Sequence, residues 1–327
     1  MRSLIEKGSE GMARPQTLTV GMPRALLYHR YAVLWQTYFD ALGIATVVSE
    51  ETNREIAEGG IAAATDEMCL SLKVYLGHVA ALIGKCDRIF IPRIVDFGIR
   101  RVMCTTFEGL PDIAANIFRD RHIDILSCNI SVQGGIDEKA GMVQMGRELG
   151  YSKKEAKRAY KRALVAQRAA DEAAAAAAEH LYQSRGLKIA VGAHAYVMDD
   201  DYYGRPVLDY LSEMGVTAIP AYAVDRREAR KVTKRLSPTM KWEVSREIAG
   251  SLAMHLDDVD GIILMSVYPC ALDSMVNDML VRKFRDSGVP MMHLTMDAQS
   301  GTAGLETRLE SFIDILSMRR TGKAVKA

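Results

Sequence analysis

The stretch TLTVGMPRALLYHRYAVLWQTYFDALGIATVVSE, residues 17–50, decides the fold class. TLTVGMPR reads as a buried strand ending in a turn, RYAVLWQTYFDALG as a helix stopped by Gly43, and IATVVSE as a second strand. A β-α-β opening of this kind continues outward. Helices are predicted through NREIAEGGIAAA (53–64) and LKVYLGHVAALIG (72–84), and a strand at DRIFIPRIV (87–95). A helix after LPD (110–112) and a strand at HIDILSCNI (122–130) follow. Alternation of strands and helices implies α/β architecture with a parallel sheet covered on both faces.

From about Ser152 to Ser184 the composition shifts to Ala, Lys, Arg and Glu, with six consecutive alanines, which predicts one long helix. Its start carries Lys153, Lys154, Lys157, Arg158, Lys161 and Arg162, a basic docking face or simply a solvated flank. The strand LKIAVGAHAY (187–196) then restarts the pattern. It continues with helix 202–215, strand VTAIPA (216–221), helix 245–256, strand DGIILMSVYP (260–269), helix 274–288, strand 289–298 and helix 305–318. The expected division is a polar N-terminal extension 1–16, a first α/β lobe 17–135, a helical linker or insert 136–186 and a second α/β lobe 187–327. Both lobes open alike, VGMPRALLYHRY against VGAHAYVMDDDYY, each a strand ending in Val-Gly, so related wiring is expected.

At 327 residues, 49% apolar, with a formal net charge of +1, the chain reads as a soluble globular protein whose charge demands neither nucleic acid nor an anionic membrane. No signal-peptide pattern and no run of ~20 apolar residues is present, so a cytoplasmic location is expected. Five cysteines, an odd number, argue for reduced thiols rather than a disulfide framework.

Three of those cysteines sit where an apolar run or short apolar helix gives way to a turn: Cys69 in DEMCLSLK, Cys104 in RRVMCTTFEGLPD and Cys270 in ILMSVYPCALDS. In open parallel sheets ligands bind beyond the carboxyl ends of the strands, and thiolates delivered there suit a soft metal. The spacings, 35 and 166 positions, exclude a local knuckle, so only the tertiary fold can bring them together. The plain alternative is three incidental buried thiols. Cys86 and Cys128, inside or beside strands, read as small core residues. Zinc bound by the three thiolates with His78, His194 or His293 is a further alternative. No P-loop and no GxGxxG joins a strand to a helix, and neither CxxC nor HExxH occurs. Asp96-Phe97-Gly98 stands without any other kinase motif and carries no weight. Arg24, beyond the first strand, can pair with a carboxylate or phosphate. His194 and Tyr196 hold the matching loop of the second lobe and could donate to a bound ligand.

Five ordered blocks, 20–43, 65–83, 89–94 with 104–112, 260–276 and 294–316, resemble the 2-hydroxyacyl-CoA dehydratase-related family, in its acyl-CoA dehydratase activase-related, DUF2229-type branch. The resemblance implies two Rossmann-like or flavodoxin-like lobes holding a [4Fe-4S]-type cluster. Carried over residue by residue, it implies Cys69, Cys104 and Cys270 as ligands, with the fourth iron open. Lys73, Asp273, Ser274 and Asp297 become candidates for bonding sulfur or ordering loops.

In the dehydratases that the chain resembles, a separate ATP-hydrolysing activase injects one low-potential electron and a ketyl radical forms as the substrate hydroxyl leaves. An oxygen-sensitive electron-transfer or radical-generating component is therefore implied. Its partners would be an activase, a second dehydratase-like subunit and an acyl-CoA substrate; the rivals are a non-catalytic cluster or metal scaffold and a zinc-thiolate hydrolase-like site. The chain departs from the family pattern around each thiolate. Leu70-Ser71-Leu72-Lys73 lacks a proline, Thr105-Thr106 replaces Pro-Lys, and Ala271-Leu272-Asp273-Ser274 replaces Gly-Pro-Asp-Ser. In the C-terminal block Asp297-Ala298-Gln299-Ser300-Gly301 lacks an acid and a histidine that relatives carry.

Overall fold

A computed structural model describes residues 18–298 and 302–324. The N-terminal extension 1–16 and the loop residues Gln299, Ser300 and Gly301 lie outside the described residues. The opening motif forms as read: β1 (Thr19–Met22), α1 (Tyr28–Leu42) and β2 (Ala45–Val48), with β1 and β2 parallel and Thr19 opposite Ala45. Gly43 ends α1 in the left-handed region at φ 73°, where a side chain would be strained. One face of α1 buries Tyr31, Leu34, Trp35, Tyr38, Phe39 and Leu42, a helical spacing that points two aromatic rings at the sheet. Phe90 receives both Trp35 and Phe39 edge-on, at 5.0 and 5.5 Å between ring centres.

The chain continues through α2 (Arg54–Ala63), α3 (Leu70–Leu82), β3 (Arg88–Phe90), β4 (Arg93–Asp96), α4 (Thr105–Ile117), β5 (Ile125–Leu126) and β6 (Asn129–Ser131). Two expected strands are therefore each split. Pro92 offers no N–H to a ladder, and beyond it β4 leaves the main sheet. The partner strand breaks at the same level, so β3 pairs with β5 while β4 pairs with β6 as a separate two-stranded sheet. The helix expected after LPD instead starts at Thr105 and carries Pro111 inside it. Arg93 clasps that turn, donating to the Glu108 carbonyl and to both carboxylate oxygens of Asp112.

Next come α5 (Glu138–Glu148) and α6 (Lys153–Tyr182), the predicted long helix, opened by a Ser152/Glu155 capping box. Helix α6 packs along α1. Gln167 accepts from the Leu34 N–H and donates to the Arg30 carbonyl, joining the two helices through one buried amide. The second half runs β7 (Leu187–Gly192), α7 (Ala195–Met198), α8 (Arg205–Glu213), β8 (Val216–Pro220), α9 (Arg226–Leu236), α10 (Glu243–Met254), β9 (Gly261–Val267), α11 (Ala271–Phe284), β10 (Met291–Met296) and α12 (Thr302–Ala324). The helix α9 was not foreseen. It is short and rich in Arg and Lys, and it buries only Ala229 and Thr233, which leaves little apolar periodicity to read.

The two main sheets share one topology. Their orders are β2-β1-β3-β5 and β8-β7-β9-β10, in each case second, first, third, fourth, with every pairing parallel. This is the flavodoxin-like winding, and its switch point lies between the first and third strands of each sheet. The shared opening Val-Gly corresponds to equivalent first strands β1 and β7. Among the described residues no helix is long and apolar enough to cross a membrane.

Where the halves meet, polar groups do much of the joining. The Leu70 N–H donates to the Tyr268 carbonyl at 2.9 Å, and Val102 bridges to Trp242 as a single parallel ladder rung. A directed chain of hydrogen bonds also crosses the seam. The Arg24 N–H donates to Ser49 Oγ, Ser49 meets His78 Nδ1 at 2.9 Å, His78 Nε2 meets Thr52 Oγ1 at 2.9 Å, and Thr52 donates to Asp200 at 2.6 Å. With Thr52 donating onward, its oxygen accepts from Nε2–H, so Nδ1 accepts from Ser49 and the ring is neutral. Burial holds His78 in that state, lowering its pKa to about 3.

Helices α2 and α3 cross at two glycines. A methyl on Gly60 would fall on the Lys73 carbonyl oxygen, and one on Gly77 on the Ile56 carbonyl oxygen. Both obstacles are backbone, which cannot swing aside. Gly60→Ala is expected to lower the thermal midpoint by roughly 3–10 °C, while Gly59→Ala, whose methyl meets nothing, leaves it level or higher. Equal midpoints in a calorimetric scan of the two variants would contradict this packing.

Candidate functional site

Cys69, Cys104 and Cys270 are the N-cap residues of α3, α4 and α11. An N-cap is ordinarily Ser, Thr, Asp or Asn, whose oxygen accepts a free amide of the first turn. Here cysteine occupies that position, and at Cys270 the sulfur takes the oxygen's role, accepting from the Asp273 N–H at 3.4 Å. The Cys69 and Cys104 side chains make no such cap bond. All three side chains are half-buried, none is in a disulfide, and all three line one cavity of about 50 Å³. That is several times the ~10–15 Å³ that one water needs.

Two more helices begin at the same cavity. His194 is the N-cap of α7, Trp242 is the N-cap of α10, and both line the space. Five helix amino ends thus converge, and the four longer helices α3, α4, α10 and α11 bring the positive ends of their dipoles. The switch-point rule explains much of this arrangement. His194 follows β7 and Cys270 follows β9, neighbouring strands of one sheet. The Leu70–Tyr268 and Val102–Trp242 backbone links then hold Cys69 and Cys104 against that edge.

The walls combine apolar cover with unsatisfied polar atoms. Met103, Phe107, Tyr196 and Val267 supply cover. His194 Nε2 bonds Asp273 Oδ1 at 2.8 Å, and its ring stacks on Tyr196 at 4.8 Å. In the neutral ring the Asp273 carboxylate fixes Nε2 as the protonated nitrogen and leaves Nδ1 as an acceptor. Among the described residues Nδ1 is buried without a partner, as is Ser245 Oγ on another wall. Burial, with the charges of Cys104 and Asp273 close by, pushes the Cys69 thiol up, and burial and Asp273 push Cys270 up as well. Burial raises the Tyr196 phenol far above its ordinary range, so it stays a neutral hydroxyl.

Other predicted residues take different places. Ser274 Oγ donates to the Cys270 carbonyl rather than to sulfur. Lys73 lies half-buried on α3 one turn from Cys69 and donates its backbone N–H to the Cys69 carbonyl. Asp297 directly follows β10, outside the cavity lining. Arg24 pairs with Glu51 at 3.0 Å and Asp201 at 3.3 Å, joining the halves as an ion pair. Of the three candidate histidines only His194 lines the cavity; His78 belongs to the seam and His293 is exposed on β10. Cys128 is buried and Cys86 half-buried, both away from the cavity.

The sequence reading missed Ser245 and the amino end of α10. A detectable signal was present: cysteine at three helix starts where Ser, Thr, Asp or Asn is the usual choice.

Residues 19–224 match the family described as CoA enzyme activase uncharacterised domain (DUF2229). The match spans more than half of the chain. The chain belongs to the DUF2229 family. No curated protein matches it. In this DUF2229 chain the matched region holds Cys69, Cys104, His194 and Tyr196, whereas Cys270 and Asp273 lie beyond it.

Proposed function

We propose that this DUF2229 protein holds a [4Fe-4S]-type cluster on Cys69, Cys104 and Cys270. It would act as a redox or radical-generating component of a CoA-enzyme system similar to the 2-hydroxyacyl-CoA dehydratases. The observation that carries this reading is that three cysteines, remote in sequence, cap three helices around one cavity. Bound there, such a cluster would supply one-electron transfer and an iron open to an outside ligand.

The chain's own groups suit an anionic thiolate-ligated centre. Convergent helix amino ends favour negative charge, and the first-turn amide of Asp273 donates to Cys270 Sγ, a contact that raises cluster potential. Thiols raised by burial lose their protons only when a cation replaces them, so loading is coupled to proton release. Asp273 orients His194, leaving Nδ1 to accept or pass a proton at the cavity wall. Met103, Phe107 and Tyr196 limit water. Among the described residues no group of three or more His, Cys, Asp or Glu that could hold a metal ion is found, so the reading rests on the three cysteines sharing one cavity.

Cavity size favours a second reading of the same site. Substrate pockets usually offer ~300–1,000 Å³, far above the volume beside the cysteines. A cluster carrier or electron relay, with the acyl-CoA substrate on a second dehydratase-like subunit, fits that size. Low-potential electrons would come from a separate ATP-dependent activase, for which the exposed Lys153, Lys154, Lys157, Arg158, Lys161 and Arg162 on α6 offer a basic contact face.

Anaerobic purification followed by iron, sulfide and zinc analysis tests the proposal. Broad visible absorption with roughly equal iron and acid-labile sulfide is the expected result. A colourless, zinc-loaded protein would reject it.

A further inference from the structure

A second, larger cavity of about 600 Å³ lies between α1, α6 and α9, and its wall is dominated by arginine. Beneath it two fully buried carboxylates are saturated with donors. Glu247 takes both terminal nitrogens of Arg30, at 2.6 and 3.0 Å, and Arg230 at 3.3 Å. Glu243 takes Arg101 at 2.7 and 3.1 Å and Arg230 at 3.1 Å. The guanidinium groups are not saturated in return. Among the described residues Arg230 Nη2 and Arg101 Nη1 bond nothing, and Arg30 Nε is buried without an acceptor although its side chain is only 9% exposed. Among the described residues Arg168 and Arg227, also on the wall, make no ion pair or hydrogen bond through their guanidinium groups.

Acidic side chains share this wall, but most are already committed. Asp171 accepts from Arg226 and Gln167, Glu138 accepts from the Tyr160 hydroxyl, and Asp225 caps the first amides of α9. Among the described residues Glu172, exposed on α6, is the one carboxylate of this wall without a hydrogen bond. The wall sets six arginines against five carboxylates, and guanidinium N–H groups of Arg30, Arg168, Arg227 and Arg230 are left untaken in a partly desolvated space sized for a small metabolite.

We infer that this cavity is a binding site for a small polyoxyanion, a molecule presenting two or more phosphate or carboxylate groups to Arg30, Arg168, Arg227 and Arg230. The site meets the cysteine cavity at Glu243 but needs no metal, so its test is independent of iron content.

Isothermal titration of the full-length protein at low salt with pyrophosphate and, in parallel, citrate separates phosphate-bearing from polycarboxylate ligands. Saturable binding of at least one is expected. The exposed double variant Arg168→Ala/Arg227→Ala is expected to bind it about tenfold more weakly, the scale of one lost charge-assisted contact, with an unchanged thermal midpoint. Lys283→Ala/Arg285→Ala, which removes equal charge from an exposed stretch away from both cavities, should bind as wild type. Absence of saturable binding by both anions overturns the inference, as does an equal loss in the two double variants.

Discussion

Anaerobically purified Cys69→Ser, Cys104→Ser and Cys270→Ser proteins are each expected to retain under about one tenth of the wild-type iron and sulfide, since even outer contacts of metal sites change affinity 10–100-fold. Serine keeps the N-cap geometry and accepts the first-turn amide better than sulfur does, so each helix should start normally and the thermal midpoint of the metal-free protein should hold. Loss of iron without loss of fold would thus report ligation. Cys86→Ser is the matched control. Its Sγ makes only a long contact to the Leu82 carbonyl, which a hydroxyl can replace, and it lies away from the cavity. Equal iron in all four variants, or equal depletion in all four, would remove the three cysteines from the ligand set.

Glu247→Gln is expected to lower the thermal midpoint by roughly 10 °C, from the ~3–5 kcal/mol that follows breaking a buried ion pair on one side. Glu247 is fully buried, and Arg30 opposite it is nearly so. An amide would present one oxygen and one NH₂ group to two guanidinium groups, leaving a buried cation short of an acceptor and two donors face to face. The effect would reach beyond stability. Glu247 stands on α10, two residues from Ser245 and one turn from Glu243 at the amino end that walls the cysteine cavity, while Arg30 stands on α1 of the other half. Arg230→Gln should cost less, because Arg230 is more exposed and both carboxylates keep other partners. A calorimetric midpoint for Glu247→Gln within the error of wild type would show that the buried Arg30–Glu247–Arg230 ion pairs are not holding the halves together.

Much of the architecture was readable from local signals. Gly43 after an amphipathic helix, the Ser152 cap and the apolar strand IILMSV each carry their structure in composition and period. The breaks did not. DRIFIPRIV and HIDILSCNI read as single strands because hydrophobic runs do not state which sheet they join, and the split appears only where Pro92 cannot extend the ladder. α9 was invisible because its stability comes from capping and packing on α10 rather than from an apolar stripe.

The candidate site divides in the same way. Residue types and positions at loop ends singled out Cys69, Cys104, Cys270, His194 and Tyr196, which line one cavity together. Lys73, Ser274 and Asp297 were nominated by the resemblance to the family pattern, but a matching position does not determine which atom a side chain meets. Ser274 turned to the Cys270 carbonyl, and Arg24 was claimed by Glu51 and Asp201 across the seam. Ser245, with no motif around it, gained its place only because α10 begins where α3, α4, α7 and α11 begin.

The amino acids alone set the alternation of strands and helices, the repeated Val-Gly opening and the placement of thiols at helix starts, since propensity, period and turn chemistry act over a few residues. The tertiary structure decided that those starts face one another, that His194 is held by Asp273 and that an arginine-walled cavity opens beside buried glutamates. Contacts between residues a hundred or more positions apart depend on how two sheets of like topology are docked, and no local pattern encodes that docking.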